Sequence, residues 1–377
     1  MIGPAELLAD LVAIRSVNPL LARDKADEDE RGVAAYVAGF LRASGAEVQM
    51  YPVAGQRCNV VGHLPRGRGV DASVLLLTAH MDTYPSGGPR SDYQAVTEGG
   101  TVYGRGSADA KGSLAAMLAA FAEVARSGGG REAYLAATVD EECLLQGARQ
   151  LSTLSIRPML GITGEPTSLV PVTAQKGIVR GSLVVRRPRG HAAYPHGESA
   201  ITAAMRLVEA VAELNAEYAR RAAPAQLGAQ TVSITRIESD GGMNLVAGEV
   251  TLWFDARFLP RDVGETVAKE LASDLGRLAG PEIDFDLADV TFVSPPNHLV
   301  PNALSREFFA AVSEVTGQCE PEGFAYGSEA GVLAEFCDAS LVFGPGDARY
   351  SHREVEAIDV AELEAAAEVF RRVLAGG

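Results

Sequence analysis

Short runs that are apolar on both faces alternate along this chain with segments of helical periodicity, and that alternation limits the fold more than any other feature. The runs are Asn59–Leu64, Ser73–Thr78, Glu132–Val139, Met159–Thr163 and Ala339–Phe343. Helical spacing marks 5–14, 31–44, 112–126, 199–219, 265–278, 302–316 and 360–374. Strands without a polar face need helices on both sides, which predicts an α/β domain with a mostly parallel sheet. Between 178 and 289 the texture changes. The order there reads strand (Val179–Val185), helix (199–219), strand (Thr231–Glu238), strand (Glu249–Arg257), helix (265–278), strand (Glu282–Ala288). That is βαββαβ, a ferredoxin-like sandwich whose strands alternate as a sheet covered on one face should. We therefore expect one domain from 1–177 plus 290–377, with 178–289 inserted into it.

A length of 377 residues agrees with two domains at ~100–200 residues each. The net charge of −16 repels phosphate backbones and anionic lipid, so neither nucleic acid nor membrane is an expected partner. Cys58, Cys143, Cys319 and Cys337 are far apart and form no CxxC pair, which suits a reduced, cytoplasmic protein and excludes a cysteine zinc site. The N-terminal MIGPAELLADLVAIRS reads as an amphipathic helix rather than a signal peptide, and no apolar run reaches 18 residues.

Chemistry-bearing residues collect where the apolar runs end. SVLLLTA leads into His80-Met81-Asp82, AYLAATV into Asp140-Glu141-Glu142, MLGIT into Gly164-Glu165, and SLVFG into the segment that holds His352. The carboxyl edge of an open α/β sheet is where ligands bind. A fifth piece, YGRGSADAKGS, sets Asp109 just before the helix at 112–126. Taken singly, each residue reads equally as a loop acid, an exposed turn or a helix cap. Taken together, Asp82, Asp109, Glu141, Glu142 and Glu165 would repel one another unless positive charge joined them. Lys111 is nearby, but one lysine does not balance five carboxylates. Divalent cations do, and imidazole plus carboxylate without thiolate suits zinc, with cobalt or manganese as substitutes.

These pieces resemble the dinuclear-metal amidohydrolases that include acetylornithine deacetylase, succinyl-diaminopimelate desuccinylase, aminoacylase and carboxypeptidase G. The matching segments are LLLTAHMDTYP, YGRGSADAKGSLAAML, TVDEE, GEPTS, RGHAAYPHGESAI and FGPGDARYSHREVE, in the family's order. The resemblance implies a zinc-peptidase-like catalytic domain with an inserted domain that acts as lid and dimerisation module, and a cytoplasmic homodimer. It implies two divalent metal ions, Zn2+ with Co2+ as an alternative. His80 and Glu165 would bind one ion, Glu142 and His352 the other, and Asp109 would bridge them. Asp82 would orient His80, and Glu141 would be the general base. His191, in Gly190-His191-Ala192, would donate to the oxyanion in the partner's active site. Read without the resemblance, His191 is a polar turn residue, and His196 matches no ligand position.

Asn244 in GGMNLV and Arg257 in FDARFLP match positions that contact the substrate carboxylate, although Arg257 reads equally as half of a surface ion pair. Glu329 in Tyr326-Gly327-Ser328-Glu329-Ala330-Gly331 resembles the substrate loop of the acetylornithine deacetylase branch. The expected reaction is removal of an acyl group from an N-acyl amino acid, in amino-acid metabolism such as arginine biosynthesis. A dipeptidase, a carboxypeptidase or a desuccinylase of the same family is the alternative. Gly104-Arg105-Gly106 lacks the context of a nucleotide site, and no GxSxG elbow is present.

Overall fold

The structure, a computed structural model, describes residues 2–22, 29–68, 70–86, 93–194, 197–260, 262, 264–318 and 320–376. His196 and Cys319 lie outside them. The chain divides into two compact units: Met1–Thr173 with Asn297–Glu322 and Ser328–Gly377, and Ala174–Pro296 with Gly323–Gly327.

In the first unit, Glu132–Thr138, Val74–His80, Leu160–Thr163 and Ser340–Val342 run parallel at the centre of a large sheet. Antiparallel strands flank them: Arg57–Leu64 and then Glu47–Ala54 on one side, and on the other Val172, which pairs with Val342. The parallel core was legible because its strands are apolar on both faces. The 47–54 strand was not, because it is an edge with mostly exposed or half-exposed side chains.

Strand periodicity sorts the Val74–His80 side chains. Leu75, Leu77 and Ala79 join the main core, where helices Pro4–Ala13, Arg31–Ala43, Lys111–Ser127, Ala303–Thr316 and Val360–Ala375 pack. Leu76 faces the other way, into a cluster with Ala136, Leu151 and Leu333. His80 shares that second face and stands at the strand's carboxyl end.

The second unit contains a four-stranded antiparallel sheet in the order Thr231–Ser239, Glu249–Phe258, Gly177–Arg186, Asp286–Ser294. Helices Ala200–Arg220 and Gly264–Ala279 share its core. Strict alternation of half-buried and buried residues along Glu249–Phe258 records a sheet with one covered face. The strand expected at Glu282–Ala288 begins later and runs farther. Gly280, at φ +100°, ends the helix, Pro281 follows, and Ile283 enters the core before the ladder starts. Asp289, at φ +51°, lies where the register shifts, and pairing resumes at Thr291.

Among the described residues, no disulfide joins Cys58, Cys143 and Cys337, and no helix is long and apolar enough to cross a membrane.

Candidate metal centre

His80 ends its strand with a fully buried imidazole. Its Nδ1 lies 2.9 Å from the Asp82 carbonyl oxygen and 3.5 Å from that residue's carboxylate. A carbonyl can only accept, so Nδ1 carries a proton and Nε2 is the ligand atom on offer. That Nε2 lies 3.1 Å from Asp109 and 3.9 Å from Glu165. Across the site, His352 Nε2 lies 2.9 Å from Glu142 and 3.6 Å from the other oxygen of Asp109. Two triads result, His80–Asp109–Glu165 and Asp109–Glu142–His352, each with ligand atoms within 4.8 Å of one another and with Asp109 in both.

Asp82 organises the turn that follows the 132–138 strand. Its carboxylate accepts from the backbone amides of Glu141 and Glu142, each at 3.1 Å, and from Asn18 Nδ2 at 2.8 Å. Asn18 Nδ2 also donates to Asp140 at 3.0 Å. Arg57 makes a paired salt bridge with Glu30 and reaches Asp140 at 3.6 Å. Asp140 sits at φ +67° and His352 at φ +60°. Left-handed backbone at a non-glycine residue costs about 1–3 kcal/mol and persists where surrounding contacts enforce it. Tyr84 stacks on the His352 ring with centroids 4.4 Å apart.

The charge balance is that of a centre built around cations. Burial, then the neighbouring Glu165 charge, pushes Glu141 well above the ordinary carboxylate range. Burial does the same to Glu165, reinforced by Asp109. Burial disfavours charged His80, but hydrogen bonds to Asp109 and Asp82 outweigh it and hold the imidazole well above its usual pKa. Each of these groups therefore favours its protonated form more than it would in water, and a bound cation would compete with those protons. Glu142 Oε1 is buried without a hydrogen-bond partner among the described residues. An orphaned carboxylate oxygen, two imidazoles and a shared aspartate fit a pair of divalent cations. Lys111 does not offset the carboxylates directly. Its Nζ donates to the carbonyls of Leu11 and Ile14 at 2.9 and 2.7 Å, and burial lowers its pKa to about 7.

The other expected residues fall as follows. Glu329 belongs to the first unit and has no exposed surface. Burial raises its pKa, and Thr138 and Thr78 stand beside its carboxyl. Glu329 stands close enough to the centre for its charge to bear on His80 and Glu165. His191 and Asn244 belong to the second unit and share one ribbon: His191 pairs with Leu245, and Ala192 donates to the Asn244 carbonyl at 3.0 Å. Arg257 pairs with Asp255 at 2.5 Å. Asn18 and Tyr84 were not singled out by sequence reasoning, and Asp140 was named at its strand end without a role. Glu356 was passed over as well, although it stands inside the quoted FGPGDARYSHREVE segment.

Residues 76–376 match the description Peptidase family M20/M25/M40. An acetylornithine deacetylase of Myxococcus xanthus is 30% identical over 376 residues, covering 98% of this chain and 95% of its own. A tripeptidase from Staphylococcus aureus superposes with a TM-score of 0.79 at 19% identity, covering 99% of this chain and 97% of that one. A dinuclear metal binding peptidase of the M20 family from Bacillus subtilis does so with a TM-score of 0.69 at 13% identity, covering 98% and 96%. With an α/β sheet of parallel centre, two carboxylate–histidine triads that share an aspartate, and a match across most of its length, the chain belongs to peptidase family M20/M25/M40 and is a hydrolase of amide bonds.

Proposed function

We propose that this protein removes an acyl group from an N-acyl amino acid, as the name of its Myxococcus xanthus relative says of that enzyme. The observation that carries the reading is Asp109 placed between two triads, an arrangement suited to two cations a shared carboxylate apart. His80 and Glu165 would hold one ion, Glu142 and His352 the other, with Asp109 common to both. Zinc suits this set of nitrogen and oxygen donors, and cobalt shares its preferences. When bound, such a pair supplies Lewis acidity that brings the pKa of a water toward neutrality.

Glu141 accepts a proton from the attacking water at a carboxylate oxygen, then delivers it to the amine nitrogen as the amide C–N bond breaks. Asp82 keeps Glu141 and Glu142 in place through their amides. His191 donates to the oxyanion, and Asn244 and Arg257 bind the substrate carboxylate, Arg257 by exchanging Asp255 for it. Catalysis is assigned to 1–177 plus 290–377, and 178–289 to the lid and dimer contact.

A homodimer through the second unit is supported by an apolar stripe. Ile201, Met205 and Val208 are exposed on one face of helix Ala200–Arg220, and Ile237 is exposed on the edge strand Thr231–Ser239. The test is a panel of N-acetyl and N-succinyl amino acids against dipeptides, with Zn2+- and Co2+-loaded enzyme. Turnover of N-acyl amino acids is the expected result. Cleavage of dipeptides with none of N-acyl amino acids refutes it in favour of a peptidase.

A further inference from the structure

The turn that carries Asp109 is held by one carboxylate that neither the expected ligands nor the expected base includes. Glu356 is buried, and its side chain reaches across to residues about 250 positions earlier. Oε1 accepts from the amides of Ala108 at 3.0 Å and Asp109 at 2.9 Å. Oε2 accepts from the amide of Gly106 at 3.0 Å and from Arg105 Nη1 at 2.9 Å. A carboxylate has about four acceptor positions, and all four are filled. Arg105 then uses Nη2 to grip the Arg353 carbonyl at 2.7 Å, next to His352. Main-chain pairing closes the assembly: Gly104 donates to the Glu356 carbonyl at 3.1 Å, and Ala357–Asp359 runs antiparallel to Thr101–Tyr103.

The two residues so fixed are those the second triad needs from distant parts of the chain. Asp109 is the residue common to both triads, and His352 adopts left-handed backbone that requires support. We propose that Glu356 is a positioning residue for the metal pair, which sets Asp109 directly and His352 through Arg105. This rests on the reading of the two triads as divalent-cation ligands. Glu356 touches neither ion nor substrate. Its effect is to hold two ligands in a geometry that an unsupported loop would have to find at the moment of binding, and supports of this kind are typically worth 10–100-fold in metal affinity.

The specificity of the contacts predicts a pattern across variants. Glu356→Gln puts an amide NH2 group in place of one carboxylate oxygen, so donors would face donors on that side. Because Asp109 serves both triads, Glu356→Gln should weaken both ions. Arg105→Lys keeps the charge but loses the fork that reaches Arg353, so it should weaken chiefly the ion at Asp109–Glu142–His352.

The experiment is calorimetric titration of Zn2+ into chelator-stripped full-length protein, with metal analysis and the melting temperature of the metal-free form measured alongside. Wild type is expected to take up two ions. Glu356→Gln should lose about 10–100-fold in affinity for both, and Arg105→Lys a similar factor for one. A merely structural role would lower the melting temperature and leave both affinities unchanged, and that result overturns the proposal. Should Glu356→Gln fail to fold, Arg105→Lys decides: wild-type affinity for both ions refutes the proposal, and loss at one supports it. Wild type that takes up no Zn2+ refutes the metal reading itself, a different failure from two ions bound equally well by every variant.

Discussion

Asn18 gives the sharpest test of how the buried network supports the centre. One amide nitrogen donates to Asp82 at 2.8 Å and to Asp140 at 3.0 Å, and none of the three side chains has exposed surface. Hydrogen bonds to ionised groups contribute about 1.5–3 kcal/mol each, so Asn18→Ala forfeits roughly 3–6 kcal/mol in the first instance. The residual contacts reduce that figure. Asp82 keeps the amides of Glu141 and Glu142, and Asp140 keeps Arg57 at 3.6 Å. The loss should therefore fall near the lower end, about 3 kcal/mol. Urea unfolding of the metal-free protein, followed by far-ultraviolet circular dichroism, is the assay. The chain's one tryptophan, Trp253, belongs to the second unit and reports on that unit instead. A shift worth under about 1 kcal/mol would refute the claim that Asn18 holds the two carboxylates together.

Three further outcomes are expected. Glu141→Gln should reduce turnover by roughly 10²–10⁴-fold with metal content unchanged by elemental analysis, since the residue is assigned proton transfer and not ligation. Chelated protein should become more stable as pH falls from about 7 toward about 5, below the range in which Lys111 changes its charge on folding. The raised pKa values of His80, Glu141 and Glu165 mean that the fold binds more protons there than the unfolded chain does, so their contribution is lost as pH rises through the folded values. Metal-loaded protein should show the reverse because protons compete for the ligands, and melting curves on both forms test the sign. Met205→Asp combined with Ile237→Lys should convert a dimer to a monomer by size exclusion with light scattering; a wild-type monomer, or a double variant that stays dimeric, removes the role given to that stripe.

The parallel centre and the triads were legible for the same reason. Buried strands carry an apolar signature that stops abruptly, and a histidine or acid at the stopping point has only the sheet edge to occupy. The inserted sandwich was legible through alternation, as along Glu249–Phe258. What was hidden depends on pairing over long separations. Asn18 meets residues 64 and 122 positions away, and Glu356 spends its oxygens on backbone amides, which have no side-chain identity to read. The last strand of the sandwich slipped because the ladder starts only after Ile283 has been buried, a tertiary choice that local pattern does not encode. Glu329 was read from the look of its loop, and the fold buries it within reach of the charges on His80 and Glu165.

The sorting of side chains along Val74–His80 has a consequence for how this centre tolerates change. Leu75, Leu77 and Ala79 lock the strand's frame against the helices, so the imidazole takes its side of the sheet from greasy residues that never approach a cation. Deleting one residue upstream within this strand would swap the faces, sending a ligand into oil and a leucine toward the acids. A substitution on the solvent side of a loop leaves that frame alone, whereas a single-residue slip in this one strand removes the ligand.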